Sequence, residues 1–528
     1  MAPEQQTQQT QQLRNFKGCN LTDTRTSIDD EEWSFLENAI PIGKGNLKLV
    51  PGSGTVLATV SSGIVSLWGF VLTNNATGDT SSVLLSVNSD GSMNQIQIPT
   101  GANTIATNTV IAGAGTVDTT ARLTPFKASS ALIISPTKGY FAWNGLTFGV
   151  VSTTVFGTDI ATFEGRVWIA QATAGHPSRT LSFTAPDTFN DFNATHGAGT
   201  TTITDSAFLG NITRILSALE QLWVVGSSAV ESISNVQTAG GVTTFSTTNI
   251  VANVGSVFPG SVSPFFRTFV MVAPYGVYAI VGATPQKLSD KLDGLFPDLH
   301  LDEEAELTSG HHVVAAVTAV HGVFVWVCLV PYHDPSTSPF THRDILLCFA
   351  QGKWFFASSG LTLEALASVP VGGNPNLYVT NGTALWQLFA DETEPVTYKI
   401  QSKLFDFGDG TMMKEFLRFG LELQSDNVVA PLVTIENEEP GDAANLALTT
   451  QNTIIFTGLG GVVITFVGVG PITWVTTGLQ LARNATGVQM LGNYLGFTLQ
   501  GTEAVWTLSA AQMEIKPAGK WVSLGAGI

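Results

Sequence analysis

The sequence predicts an all-β chain: a β-propeller with an N-terminal arm and an additional C-terminal β region. Three observations predict it. First, an apolar strand, a Gly-containing turn and a second apolar strand recur at 132–143, 222–233, 270–280, 346–356 and 377–389. Gly supplies the positive φ that tight hairpins need. Second, from about Gly165 these units fall roughly fifty residues apart, the length of a propeller blade. Third, only 12% of the 528 residues are charged and 53 are Gly, against about 25% charged in an average soluble domain. A chain rich in Val, Thr and Gly and poor in Lys and Glu favours strands over helices.

Residues 1–50 read as the arm. The opening MAPEQQTQQTQQLR lacks the apolar run of a secretory signal. Its Gln and Thr bury little, so it is expected to be disordered to about residue 14. Ser27 is expected to cap a short helix with Asp29, Asp30, Glu31 and Glu32 in its first turn, where the helix dipole favours negative charge. Trp33 and Leu36 would share a face of that helix, and Asn38 would end it.

Residues 51–395 read as the propeller. The stretch 53–130, with turn signals Asn74-Asn75 and Asp90-Gly91, reads as a first blade or a blade insertion. Trp168, Trp223, Tyr278, Trp326, Trp354 and Trp386 sit in apolar runs and are expected in the blade core, since aromatics carry much of the burial in packed sheets. The run 312–331 is long enough to span a membrane. His321-Gly322 and the β-branched residues instead make it two strands around a tight turn. Asp302, Glu303, Glu304 and Glu306 form an acidic loop or short helix, and the charged DETEP at 391–395 marks a domain boundary.

Residues 396–528 read as the C-terminal β region, serving as a tip or as propeller-closing strands. Between Asp442 and Arg483 there is no charge. There 454–469 is expected to form a hairpin bent at 458–461. Ile454, Phe456, Gly458, Gly460, Ile464 and Phe466 would face a neighbouring subunit or a distal tip, because such a hairpin left in water invites aggregation.

No catalytic, cofactor or metal residue is expected. His311, His312, His321, His333 and His342 cluster in sequence, but adjacent residues point to opposite faces of a strand. Asp406-Phe407-Gly408 lacks the companions of a kinase motif. GLGGVV at 458–463 is not a dinucleotide fingerprint. No carboxylate pair of glycosidase type stands out. Cys19, Cys328 and Cys348 are too few for a disulfide framework and fit folding in a reducing cytoplasm. The net charge of −18 opposes nucleic-acid binding through clustered Lys and Arg.

The order Phe16-x-Gly18-x-Asn20-x-x-Asp23, then Leu36-Glu37-Asn38, then Gly45-x-Leu47 running to Pro51-Gly52, resembles the opening of tail nozzle (tail hub) proteins of short-tailed bacteriophages. That group includes packaged-DNA stabilisation proteins. The segments 182–192 and 212–234 resemble later parts of the family pattern. So do Gly276-Val277-Tyr278 with Leu288-Ser289 and Leu295-Phe296, and the segment 403–423. The resemblance covers most of 16–425 and implies a structural protein of the virion tail, assembled in the host bacterial cytoplasm. It implies a homohexamer ring below the portal, contacting the head-to-tail adaptor and the tail fibre or spike proteins. The ring would retain packaged DNA and conduct the duplex without binding it specifically. Asp29–Glu32 and the acids at 302–306 would then line a net-negative bore or the outer surface. A host-surface-binding propeller and a propeller glycosidase or lyase are the alternatives.

Overall fold

The computed structural model describes residues 8–520 except 74–77, 100–105, 283, 300, 302–312, 332–343, 361, 426–428, 430, 440–442, 451–452, 456–464, 467–469, 472, 476–477 and 485–489. The chain divides into two compact units. One is Ser53–Ala350 with Gly360–Leu388; the other is Met1–Gly52, Gln351–Ser359 and Phe389–Ile528.

The first unit is a β-propeller of seven antiparallel blades among the described residues: six four-stranded sheets, and the three strands Val314–Val320, Val323–Pro331 and Asp344–Ala350 of the 16-stranded sheet. Blade 1 begins with Ile64–Thr73, blade 2 with Arg122–Phe126 and blade 3 with Gly157–Phe163. Blades 4 to 7 begin with Ile212–Ala218, Ser263–Phe265, Val314–Val320 and Ala365–Val371, each starting 51 residues after the last (263 − 212, 314 − 263, 365 − 314). Blade 7 takes its fourth strand, Val56–Thr59, from the start of the propeller segment, paired antiparallel to Ala384–Leu388. The ring is therefore closed by residues 56–59, not by the C-terminal region.

The hairpin turns follow from local sequence. In blade 6, Val314–Val320 pairs with Val323–Pro331 with Val320 opposite Val323. His321 and Gly322 have φ of +49° and +76°, the two positive values a tight hairpin turn needs. No helix among the described residues is long and apolar enough to cross a membrane.

Neighbouring blades meet around the whole ring. Phe70, Leu85 and Met93 of blade 1 pack on Ile133, Phe141 and Trp143 of blade 2. Leu132 and Ile134 meet Ile160 and Ile169 of blade 3, and Trp168 and Phe183 meet Ile215 and Val224 of blade 4. Trp223 packs on Phe269 and Met271 of blade 5. Trp326 Nε1 of blade 6 donates to Ser263 Oγ of blade 5 at 2.8 Å, and Thr318 of blade 6 donates to the Pro375 carbonyl of blade 7. Leu67 and Leu84 of blade 1 pack on Ala367, Val369 and Leu385 of blade 7, completing the circle. There Gly69 lies against the Ser368 carbonyl with no room for a Cβ.

The second unit is a curled sheet. Three strands intervene between Leu495–Glu503 and Met412–Ser425 in the sheet order, yet Phe497 and Phe419 rings stand 4.8 Å apart. Trp33 joins them, 6.0 Å from Phe497. Asn38, at φ +57°, is a buried clamp. Its Nδ2 donates to the Ser358 carbonyl at 2.9 Å and the Thr397 carbonyl at 2.7 Å, and its Oδ1 accepts from Ser358 N at 2.9 Å.

Two sequence expectations are corrected here. The helix after Ser27 is absent: turns lead into a strand, Trp33–Glu37, antiparallel to Val396–Ser402. Burying both Trp33 and Phe35 against distant strands outweighs the helix signal of the acids. The polar tail is ordered from residue 9, where Gln9–Leu13 adds to the edge of Thr507–Lys520 and buries Leu13. The bend expected at 458–461 lies outside the described residues. Nearby, Ile454 pairs with Trp474 and Phe466 with Gly470.

Two substitutions test this architecture. Gly69→Ala should destabilise the propeller by about 1–3 kcal/mol through overpacking, read as a lower urea midpoint. Asn38→Leu should cost the second unit about 2 kcal/mol or more by orphaning buried backbone groups, read by thermal denaturation; an unchanged transition would contradict the clamp.

Candidate functional site: the axial cavity

The first strands of blades 1, 2, 4, 5, 6 and 7 converge on a cavity of about 340 Å³. It is lined by Ser66 and Trp68 of blade 1, Arg122 of blade 2 and Arg214 of blade 4, with small residues from blades 5, 6 and 7. Strand alternation produces this arrangement. Leu67, Leu123 and Ile215 enter the blade cores. Their neighbours Trp68, Arg122 and Arg214 line the axis.

Asp159 of blade 3 is fully buried beside this lining. Its Oδ1 accepts from Arg214 Nη1 at 2.7 Å, and its Oδ2 accepts from the Ile215 backbone N–H at 2.6 Å. This staples blades 3 and 4. The guanidinium carbons of Arg122 and Arg214 each lie 5.6 Å from the Trp68 ring centroid, within cation–π range. The Arg122 guanidinium makes no hydrogen bond or ion pair among the described residues. Burial pushes its pKa down to about 10, Arg214 pushes it the same way, and Asp159 opposes. Trp68 Nε1, Ser66 Oγ and Arg214 Nε are buried without a hydrogen-bond partner among the described residues.

These groups can hold charge but carry no acid–base pair. Among the described residues the carboxylate beside the lining, Asp159, is committed to Arg214 and a backbone amide. Among the described residues no group of three His, Cys, Asp or Glu could hold a metal ion.

The residues singled out from sequence lie elsewhere. Trp168, Trp223 and Trp326 are buried in the propeller, and Tyr278 and Trp386 are half-buried there. Trp354 is buried in the second unit, not in the propeller core. In that unit Lys17 bridges Asp29 and Glu31 at 3.4 and 3.3 Å, and Lys403 pairs with Asp30 at 2.8 Å. Glu32 is buried and accepts from Asn20 Nδ2 at 2.8 Å. These four acids are thus engaged locally, and only Asp29 and Asp30 are exposed. Asp302, Glu303, Glu304, Glu306, Phe456, Gly458, Gly460, Ile464, His311, His312, His333 and His342 lie outside the described residues. Ile454 and Phe466 sit on short paired strands.

Sequence reasoning missed Arg122, Asp159, Arg214 and Trp68. The available signal was a charge inside an apolar strand, as in TDIATF and ITRILSA, within a chain so poor in charge.

No protein-family model matches the chain, and no curated protein matches it. Among solved structures it is similar to a chain from an assembly of S. cerevisiae Dbp5 bound to Nup159, Gle1, IP6 and ADP (10% identity, 65% of this chain and 95% of that one, TM-score 0.34). It is also similar to the N-terminal domain of Nup159 (9% identity, 67% and 98%, TM-score 0.33). A third is PorZ of Porphyromonas gingivalis, a surface component of the type-IX secretion system (9% identity, 75% and 46%, TM-score 0.36). These likenesses are too weak to bear on function.

Asp159→Asn should destabilise the propeller by about 3 kcal/mol, because it leaves the Arg214 charge uncompensated beside Arg122. Thermal denaturation of the variant checks this.

Proposed function

We propose that this chain is a structural subunit of a short-tailed phage tail, forming a homohexameric nozzle that retains packaged DNA and conducts it at infection. The observation that carries the reading is what the motif residues do. Asn20 binds the buried Glu32 and accepts from the Thr22 amide at 3.1 Å. Gly18 passes the Trp354 backbone where a Cβ would stand 2.7 Å from Trp354 N. Asn38 is the clamp described above. Gly18, Asn20 and Asn38 of the opening pattern are framework residues of one β unit, while the later resembling segments 182–192, 212–234 and 276–296 belong to the propeller.

The propeller's own axis is no conduit. A cavity of about 340 Å³ is too narrow to pass a duplex whose major groove alone is about 12 Å wide. A bore must come from a ring of copies. The excess of 41 acidic over 23 basic residues per copy favours a wall that does not hold phosphate. In this reading the chain is not an enzyme, and its partners are its own copies, the adaptor, the fibre or spike proteins and DNA in transit.

Electron microscopy of the purified protein, alone and with its adaptor, tests the proposal. Six copies around a bore wide enough for duplex are expected, with no gel-shift of linear duplex at low salt. Ile464→Asp should impair ring assembly. A protein that stays monomeric with its adaptor, or that degrades host polysaccharide, would contradict the proposal.

A further inference from the structure

We propose that the axial cavity of the propeller binds an oxyanion, a phosphate or carboxylate group of a small molecule, between Arg122 and Arg214. This goes beyond the conduit reading and does not depend on it.

Charge points the same way as geometry. The described lining carries two guanidiniums and no carboxylate, and Asp159 beside it supplies one negative charge. That charge is already bound to Arg214 and the Ile215 amide. Arg122 is left with a fork of N–H donors facing the cavity and only the Trp68 face for company. Arg122 is half-buried and unpaired among the described residues, and an anion between the two arginines would answer its charge with paired N–H donors.

The unpartnered atoms set the sign of the ligand. Trp68 Nε1 and Arg214 Nε have no partner among the described residues, and both groups can only donate. Ser66 Oγ can donate or accept. Such a set calls for acceptors, so a metal cation is the wrong occupant. Guanidinium forks match phosphate and carboxylate oxygens in pairs. The volume of about 340 Å³ lies at the lower end of small-molecule sites, about 300–1,000 Å³. It admits a small ligand and excludes a nucleic-acid backbone.

The test is isothermal titration of the full-length protein at low salt, free of other oxyanions, with inorganic phosphate and, separately, malonate. At least one should bind at one site per chain with a dissociation constant below about 5 mM. The stronger of the two identifies the ligand class. Arg122→Met should weaken it at least about tenfold. Arg267→Met, at an exposed position, should leave it unchanged. Should Arg122→Met fail to fold, Arg122→Lys retains the charge and loses the fork, and it too should bind more weakly. No saturable binding of either probe up to about 5 mM, or wild-type affinity in the Arg122 variants, would overturn the proposal.

Discussion

The propeller depends on one short pairing, Val56–Thr59 against Ala384–Leu388. Leu385 sits opposite Ala58 and Ala384 opposite Thr59, with a bulge before Trp386. Blades 1 and 7 bury apolar faces against each other, so an open ring would leave one face of each in water. Leu67 and Leu84 on one side and Val369 and Leu385 on the other would then be exposed. Closing so long a loop costs entropy that grows only with the logarithm of its length. The apolar area buried at the seam scales with contact, at about 25 cal/mol per Å². Contact therefore decides, and the missing side chain at Gly69 is what permits it.

Closure also creates the axial site. Arg122, Asp159 and Arg214 belong to three blades and meet only because their first strands share an axis. Away from water their charges interact more strongly than at a surface. Asp159 answers one arginine and leaves the other to the ring of Trp68. The imbalance is local, within a chain that is strongly acidic overall. Net charge thus says nothing about the sign of this cavity, and a solvated acidic surface can coexist with a basic centre.

The fold was legible where local chemistry and tertiary packing agree. Paired apolar runs around turn residues, as at His321-Gly322, specify hairpins in any context, and even spacing turns hairpins into blades. Legibility failed where a distant strand decides. Asp29 and Asp30 look like a first helical turn, yet lysines at 17 and 403 hold this segment while Trp33 and Phe35 fill the core of a sheet. The Gln-rich tail looks unable to fold, yet Thr507–Lys520 offers it a ready edge. The closing strand, residues 56–59, carries too short an apolar signal to announce its partner more than three hundred residues away. The axial site was illegible for the same reason, because no segment contains more than one of its charges.

Hydrogen exchange with mass-spectrometric readout tests the closed ring most directly. If Val56–Thr59 and Ala384–Leu388 form the seam, their amides share one protection, equal to that of the central blade strands, because the ring opens only by losing the propeller. Exchange of residues 56–59 at the rate of an exposed loop, while 384–388 stay protected, would contradict the account.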